Sequence, residues 1–354
     1  MQSDETVNHF SKVSVYMPAF NAEGTIKDAL DSIIAQSYKN IEITVIDDGS
    51  TDNTKNILLD YTKKNLIKLI THKNNLGIQD TYNEIYSIVE SKFFCIYHAD
   101  DTYEPNIVEY EVNVLKNNTN VSAVFSLSSS NLNVVPNELK NEKLDYIIFD
   151  KKKLFLLLMK YYNFIACPTA CFRTDIVKKI GIKWGNLDVK PKLVQGHSGE
   201  DLQMWLELVE KNPIAIIPRP LFHWRKHADQ MSNTVKSGLK TTSDFIHVME
   251  YHIDKNYVTD IPKNTTRDFN FIRYKEFNIA ALNSILLNDN KKYRENILNA
   301  KKCVKGYGID FIFDSWIRRK YVKFFILHNI IIISYFFNNK ITLEVIKKKY
   351  FLEY

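Results

Sequence analysis

From residue 13 to residue 101 the chain repeats one unit: a short β-rich run ending in polar residues, then a segment whose apolar residues recur at helical spacing. Residues 13–16, 41–46, 69–72 and 93–97 read as strands. Between them Ile26, Leu30, Ile33 and Ile34 share one helical face, then Ile57, Leu58 and Tyr61, then Ile78, Tyr82, Ile85 and Val89. Few architectures accept that alternation, and the expectation is an α/β fold, a mostly parallel sheet covered by helices. In open sheets of this kind ligands bind beyond the carboxyl ends of the strands. Asp47-Asp48 and Asp100-Asp101 both fall at such ends, so the two acidic pairs are expected to share a crevice.

The later chain is less periodic. Residues 121–127 read as a strand, a Lys-rich helix precedes Phe155, and the rest of 117–195 has no clear pattern. Leu202, Trp205, Leu206 and Val209 take helical spacing; residues 214–217 read as a strand ended by Pro218, and 220–232 as a loop. From about residue 241 the composition turns to Tyr, Phe, Ile, Asn and Lys with few glycines, which predicts a helical appendage. The domain expectation is therefore 1–238 for the α/β domain and 239–354 for a mainly helical region.

A chain of 354 residues, 45% hydrophobic and 25% charged, can bury a sizeable core. Its net charge of +6 is mild and its charges are mixed along most of the chain, so no stripe for nucleic acid is present and none is expected as a partner. Cys95, Cys167, Cys171 and Cys303 lack paired CxxC spacing, which argues against a zinc site or a disulfide framework and fits buried thiols in a reducing cytoplasm. The first ten residues show no basic and apolar signal pattern, so a cytoplasmic location is expected.

Four segments carry chemistry, each with a bland alternative. Pro18-Ala19-Phe20-Asn21 ends a strand at a turn whose backbone N–H groups can receive an anion; a plain strand-to-helix connection looks the same. In Asp47-Asp48-Gly49-Ser50-Thr51-Asp52, helix capping explains Ser50, Thr51 and Asp52 but not the two leading acids. A carboxylate there can accept the imide N–H of uracil; guanine also offers N–H donors, so both nucleotides stay open. Asp100-Asp101 can hold a hard divalent cation that binds phosphate oxygens, or can be a solvated turn. Ser198-Gly199-Glu200-Asp201 resembles a capping box and suits a helix dipole, yet a general base also needs a rigidly placed carboxylate. Beyond them, Arg225 is a fork donor for phosphate and His227 a potential metal ligand.

In order, VSVYMPAFNAEGTI, DDGSTDNT, NNLGIQDTYN, HADD, GEDLQMWLEL and WRKHADQMS resemble the inverting family-two glycosyltransferases, over residues 13 to about 232. The resemblance implies a GT-A fold, a Rossmann-like nucleotide-binding domain, and hexosyl transfer in polysaccharide or cell-envelope glycan synthesis. Carried over residue by residue, it places the nucleotide sugar on Pro18, Ala19, Phe20, Asn21, Glu23, Asp48, Asn83, Asp100 and Arg225. Asp101 and His227 would ligate Mn2+ or Mg2+. Asp201 would be the general base, with Glu200 beside it for acceptor or sugar contacts.

Two positions depart from the family pattern: His98 stands where a first Asp is frequent, and Tyr82 where an Arg often precedes the Asn. The implied reaction is one in-line displacement with inversion, from a nucleotide-sugar donor, UDP-linked in the first instance, to a glycan or lipid-linked acceptor. A sugar-phosphate nucleotidyltransferase would need a Gly-rich loop where PAFNAEG stands. A silent binding protein would not need Asp48, Asp101 and Asp201 together.

Residues 303–354 hold nine Lys/Arg against four Asp/Glu, five of the six net positive charges. Between Arg318-Arg319-Lys320 and Lys347-Lys348-Lys349 runs an apolar stretch, 324–337, interrupted by His328, Asn329 and Ser334 and shorter than the ~20 residues that span a bilayer. Two readings stand: a membrane-surface helix with basic flanks that brings the site to a lipid-linked acceptor, or a packed helix or dimer contact. The sequence does not set the oligomeric state.

Overall fold

The computed structural model describes residues 11–129, 135–140, 143–181, 183–184, 199–225, 242–287 and 289–305. The chain divides into two compact units, Met1–His227 and Ala228–Tyr354. The expected boundary at 238 lies outside the described residues, as do His227 and the whole of 306–354.

In the first unit β1 (Val13–Ala19), α1 (Ile26–Ile34), β2 (Ile41–Asp47), α2 (Thr54–Lys63), β3 (Lys68–Thr71), α3 (Ile78–Ile88) and β4 (Phe93–Ile96) follow the predicted alternation. Then come β5 (Thr102–Tyr103), α4 (Ile107–Asn117), β6 (Ala123–Ser128), β7 (Ile147–Phe149), α5 (Lys151–Tyr161), β8 (Ala170–Arg173), α6 (Thr174–Ile180), α7 (Gly199–Lys211) and β9 (Ile214–His223). The sheet order is β3-β2-β1-β4-β8-β6-β9-β5, with β7 on β9. β3, β2, β1 and β4 are parallel, and β8 enters antiparallel between β4 and β6. Because β1 leads outward to β2 while β4 returns on its other side, strand order reverses between β1 and β4, where an open sheet forms its crevice.

In the first half β1, β2 and β4 are largely buried on both faces, as parallel sheets covered by helices require, while the edge strand β3 is partly exposed. Val13, Val15, Met17, Val45, Phe93 and Cys95 join Ile26, Leu30 and Ile33 of α1 in one core. Farther along, Phe94 stacks on Phe172 with ring centroids 4.9 Å apart, and Phe125 meets Trp205 edge-on at 4.6 Å. Trp205 is fully buried and anchors α7, the helix that begins with Glu200 and Asp201. At ~150–250 Å² of apolar surface, its burial is worth on the order of 4–6 kcal/mol before the cost of ordering it.

The structure corrects the expected end of the last strand. β9 runs through Pro218 and Pro220 to His223, whereas prolines predicted a stop and a loop. The ladder with β6 slips between Ser126 and Leu127 and again between Leu127 and Ser128, which face Pro220 and Phe222. At such irregularities the missing proline N–H breaks no ladder bond. That longer strand carries Trp224 and Arg225 up to the end of β4.

The second unit is helical where described, with α8 (Asp244–Asp254), α9 (Lys263–Leu286) and α10 (Asn290–Cys303). α9 and α10 pack together, and Asn296 donates to Ser284 Oγ between them at 3.2 Å. Arg273 of α9 pairs with Glu250 of α8 at 2.6 Å. No helix among the described residues is long and apolar enough to cross a membrane.

Candidate active site

The turns after β1 and β2 are laced to one another, and that lacing uses several of the residues expected to meet nucleotide. Asn21 has φ 47°, a left-handed conformation that Asn tolerates better than most residues. Its Oδ1 accepts from Thr51 N at 2.8 Å and its N–H donates to Ser50 Oγ at 3.0 Å. Ala22 N donates to Thr54 Oγ1, Glu23 N to Asp52 Oδ2, and Asn53 N to Glu23 Oε2. Of the three expected helix caps only Asp52 reaches a first-turn N–H, that of Thr54 at 2.9 Å; Ser50 and Thr51 join the two turns instead. Pro18 is partly exposed, Ala19 is buried, and Phe20, 45% exposed, stands open beside them.

Asp48 is buried, and both its oxygens hold the β3–α3 loop. Oδ1 accepts from Leu76 N at 2.9 Å and lies 2.7 Å from His72 Nδ1, while Oδ2 accepts from Gly77 N at 2.9 Å. His72 spans to Glu84 through Nε2 at 2.8 Å. Burial alone would lower the His72 pKa, but the bonds to Asp48 and Glu84 outweigh it and raise it. Gly49 next door has φ +76°, and a Cβ there would sit 2.7 Å from the Asn74 carbonyl carbon and 2.8 Å from Asn75 N. Only glycine lets this loop lie against the β2 turn. Beside it, Asp47 Oδ2 is buried without a hydrogen-bond partner.

Beyond β4 three side chains that could ligate a metal converge. One ligand atom from each of His98, Asp100 and Asp101 lies within 4.8 Å of the others. Asp101 is only 1% exposed, and its Oδ1 accepts the backbone N–H of Arg225 at 3.1 Å. Burial, helped by the charge of Asp100, pushes the Asp101 carboxyl up to about 8 against the opposing pull of Arg225. A buried acid next to a half-buried one is a poor arrangement by itself and a good one around a divalent cation, so these residues fit a metal. The Arg225 guanidinium pairs with Asp28 at 3.1 Å.

α7 presents the remaining acids. Asp201 Oδ1 accepts from Leu202 N at 2.7 Å, and burial, with the Glu200 charge adding, raises its pKa to about 8. Glu200 is buried and receives a hydrogen bond from Gln79 of α3. The two acidic regions share neighbours: the Asp201 charge acts on Tyr82 and Cys167, while the Tyr82 hydroxyl lies 2.8 Å from His98 Nε2 and 3.9 Å from Cys167 Sγ. Asn83 turns away to Trp184, taking its N–H at 2.9 Å and donating to its carbonyl at 3.2 Å.

The structure thus links Asp100-Asp101 and Glu200-Asp201 through the shared neighbours His98, Tyr82 and Cys167, and gives Asn21, Glu23, Asp48 and Asn83 protein partners. Sequence reasoning did not assign roles to Gln79, His72 or Cys167. Gln79 sits in the NNLGIQDTYN segment, which was the available signal; its partner Glu200 is 121 residues away. All four cysteines are free, and Cys167 keeps some exposure where burial was expected.

The sequence profile described as Glycosyl transferase family 2 matches residues 14–181. An uncharacterized glycosyltransferase of Haemophilus influenzae is 32% identical over 249 residues, 69% of this chain and 75% of that protein. The Escherichia coli protein WfgD, named as a UDP-Glc:alpha-D-GlcNAc-diphosphoundecaprenol beta-1,3-glucosyltransferase, is 25% identical over 58% of this chain and 72% of its own. Among solved structures, S. aureus TarS in complex with UDP-GlcNAc aligns at TM-score 0.53 and 16% identity, covering 82% of this chain and 90% of that one. The mannosyltransferase PcManGT of Pyrobaculum calidifontis, in complex with GDP-Man and Mn2+, aligns at TM-score 0.53 and 13% identity, covering 93% and 88%. Such structural likeness establishes the shared GT-A architecture, and the sequence matches establish the lineage: this chain belongs to glycosyl transferase family 2.

Proposed function

We propose that the chain transfers a sugar from a nucleotide-diphosphate sugar, UDP-linked, to a hydroxyl of a glycan or lipid-linked acceptor, with inversion, metal dependence and Asp201 as general base. The observation that carries this reading is a pair of carboxyls, buried Asp101 and half-buried Asp201, both raised to about 8 on elements connected through Tyr82 and His98. One is suited to a cation and the other to a proton. The UDP and lipid-linked assignments draw support from the names of WfgD and of the TarS complex; the GDP-Man complex of PcManGT makes a guanosine donor the alternative to test.

In this reading the acceptor O–H gives its proton to the Asp201 carboxylate as the oxygen attacks C1 and the C1–O bond to the diphosphate breaks. One displacement inverts C1, so an α-linked donor yields a β-linked product. A base with pKa about 8 is both strong and partly ionised near neutral pH, close to what proton abstraction needs. α7, anchored by Trp205, holds the carboxylate rigidly, and Gln79 orients Glu200 toward acceptor or sugar. A divalent cation held by Asp101, with Asp100 beside it and His227 as a further proposed ligand, would neutralise the leaving diphosphate. Exposed Phe20 with Pro18 and Ala19 offers a surface for the base, and Arg225, on releasing Asp28, a cation for phosphate. Residues 239–354, with their basic end, are proposed to serve the acceptor side at a cytoplasmic membrane surface.

Screening nucleotide sugars for diphosphate release and thermal stabilisation, with and without Mn2+ or Mg2+, tests the reading; a ligand that binds only the folded state must raise its melting temperature. The anomeric configuration of the product decides inversion. Absence of both release and stabilisation with every UDP, GDP and dTDP sugar would remove it.

A further inference from the structure

The two positions at which this chain departs from its family, His98 and Tyr82, are sixteen residues apart in sequence and in direct contact, with the Tyr82 hydroxyl 2.8 Å from His98 Nε2. Where the family has an acid and a cation, this chain has an imidazole and a phenol. The local net charge is unchanged by the exchange of both, and would not be by the exchange of one.

The contact is held firmly. Tyr82 is 2% exposed, its ring meets Trp184 edge-on at 4.5 Å, and Cys167 Sγ lies on the other side of its hydroxyl. The His98 backbone is fixed as well, its N–H donating to the Tyr103 hydroxyl at 2.7 Å. An imidazole with Nε2 engaged by a phenol has Nδ1 left for a cation. Metal-binding histidines are ordinarily held in this way, one nitrogen on the ion and the other on a hydrogen-bond partner that sets the tautomer and ring orientation.

We infer that His98 is a direct ligand of the divalent cation shared with Asp100 and Asp101, and that Tyr82 is the positioning residue that orients its ring. The inference rests on the metal-dependent reading above and extends it to a nitrogen donor in place of an acid. It also sets metal preference. Mg2+ takes oxygen donors and dehydrates reluctantly, whereas imidazole suits first-row transition ions, so Mn2+ should bind in preference to Mg2+.

Pulsed electron paramagnetic resonance of the full chain with Mn2+ and UDP provides the test, because a coordinated imidazole imposes nitrogen modulation on the manganese echo. The expected result, read in a His227→Asn background that removes the other proposed imidazole ligand, is modulation with His98 present, its loss on adding His98→Asn with Mn2+ still bound, and its retention on adding Tyr82→Phe with Mn2+ affinity lowered by about 10-fold or more. A structural role for Tyr82 would move the melting temperature and leave the affinity of the folded protein alone. Mn2+ bound with UDP but without nitrogen coupling in the His227→Asn protein would overturn the ligand assignment. Unchanged affinity in Tyr82→Phe would overturn the positioning role. Absence of any Mn2+ binding would overturn the metal-dependent reading and this inference with it; if Tyr82→Phe does not fold, the comparison of His227→Asn with and without His98→Asn still decides the ligand.

Discussion

Replacing Asp201 with Asn separates catalysis from folding because of what the carboxyl touches. Its Oδ1 accepts the Leu202 N–H at 2.7 Å, and an amide oxygen can keep that bond, so the first turn of α7 should persist. With the carboxyl raised to about 8, only about a tenth of the parent protein carries an ionised Asp201 at pH 7. A neutral amide therefore replaces a group that is already mostly neutral, and the melting temperature should barely change. Turnover, by contrast, should fall by about 10²-fold or more, roughly 2.7 kcal/mol of transition-state stabilisation, because the amide takes no proton. The same titration predicts that kcat of the parent at saturating Mn2+ and donor rises about tenfold from pH 7 to pH 9, whereas residual activity of Asp201→Asn lacks that rise. Diphosphate release measured across this range, with Glu200→Gln as the neighbouring control, decides the matter. Near-normal turnover of folded Asp201→Asn with the parent's pH profile would refute the reasoning, and an inactive Glu200→Gln beside it would move the base to Glu200.

Asp101→Ala should abolish Mn2+-dependent binding of UDP in titration calorimetry, and in the parent that binding should tighten about tenfold per pH unit below about 8, since a protonated Asp101 must lose its proton to ligate. In the free protein both raised acids act oppositely: their protonated forms favour the fold below about pH 4, and that contribution is lost as pH rises through about 8. Asp101→Asn should therefore flatten the fall of melting temperature with pH. Gly49→Ala should cost at least ~1–2 kcal/mol from its left-handed backbone alone, with more from displacing Asn74 and Asn75, visible as a melting temperature lower by about 3 °C or more. Deleting residues 318–354 should leave UDP binding intact and reduce flotation with anionic vesicles; equal flotation would assign that segment a packing role.

Much of the first half was legible because its information is local. Period-2 and period-3.6 patterning placed β1 to β4 and their helices, and acids just after apolar strands pointed to the crevice before any contact was known. The second half was harder for a physical reason. β5 has two residues and β7 three, too short to show a period, and β8 joins antiparallel strands whose partners lie dozens of residues away. Pro218 and Pro220 misled because proline marks a strand end only where its N–H would have been needed.

At the site the same division holds. The residue types at strand ends offered a nucleotide site, a cation site and a base beside plainer turn and cap readings, and the order of the motifs, through the family resemblance, chose between them. What they touch was settled only by the fold: Asn21, Glu23 and Asp48 tie loops together, Asn83 binds Trp184, and Gln79 reaches Glu200. Most of all, two departures that look independent along the chain, His98 and Tyr82, became one hydrogen-bonded pair. A sequence determines which groups are available and how the chain folds locally; burial and proximity, which raise Asp101 and Asp201 to about 8, arise only when distant segments exclude water around the same few atoms.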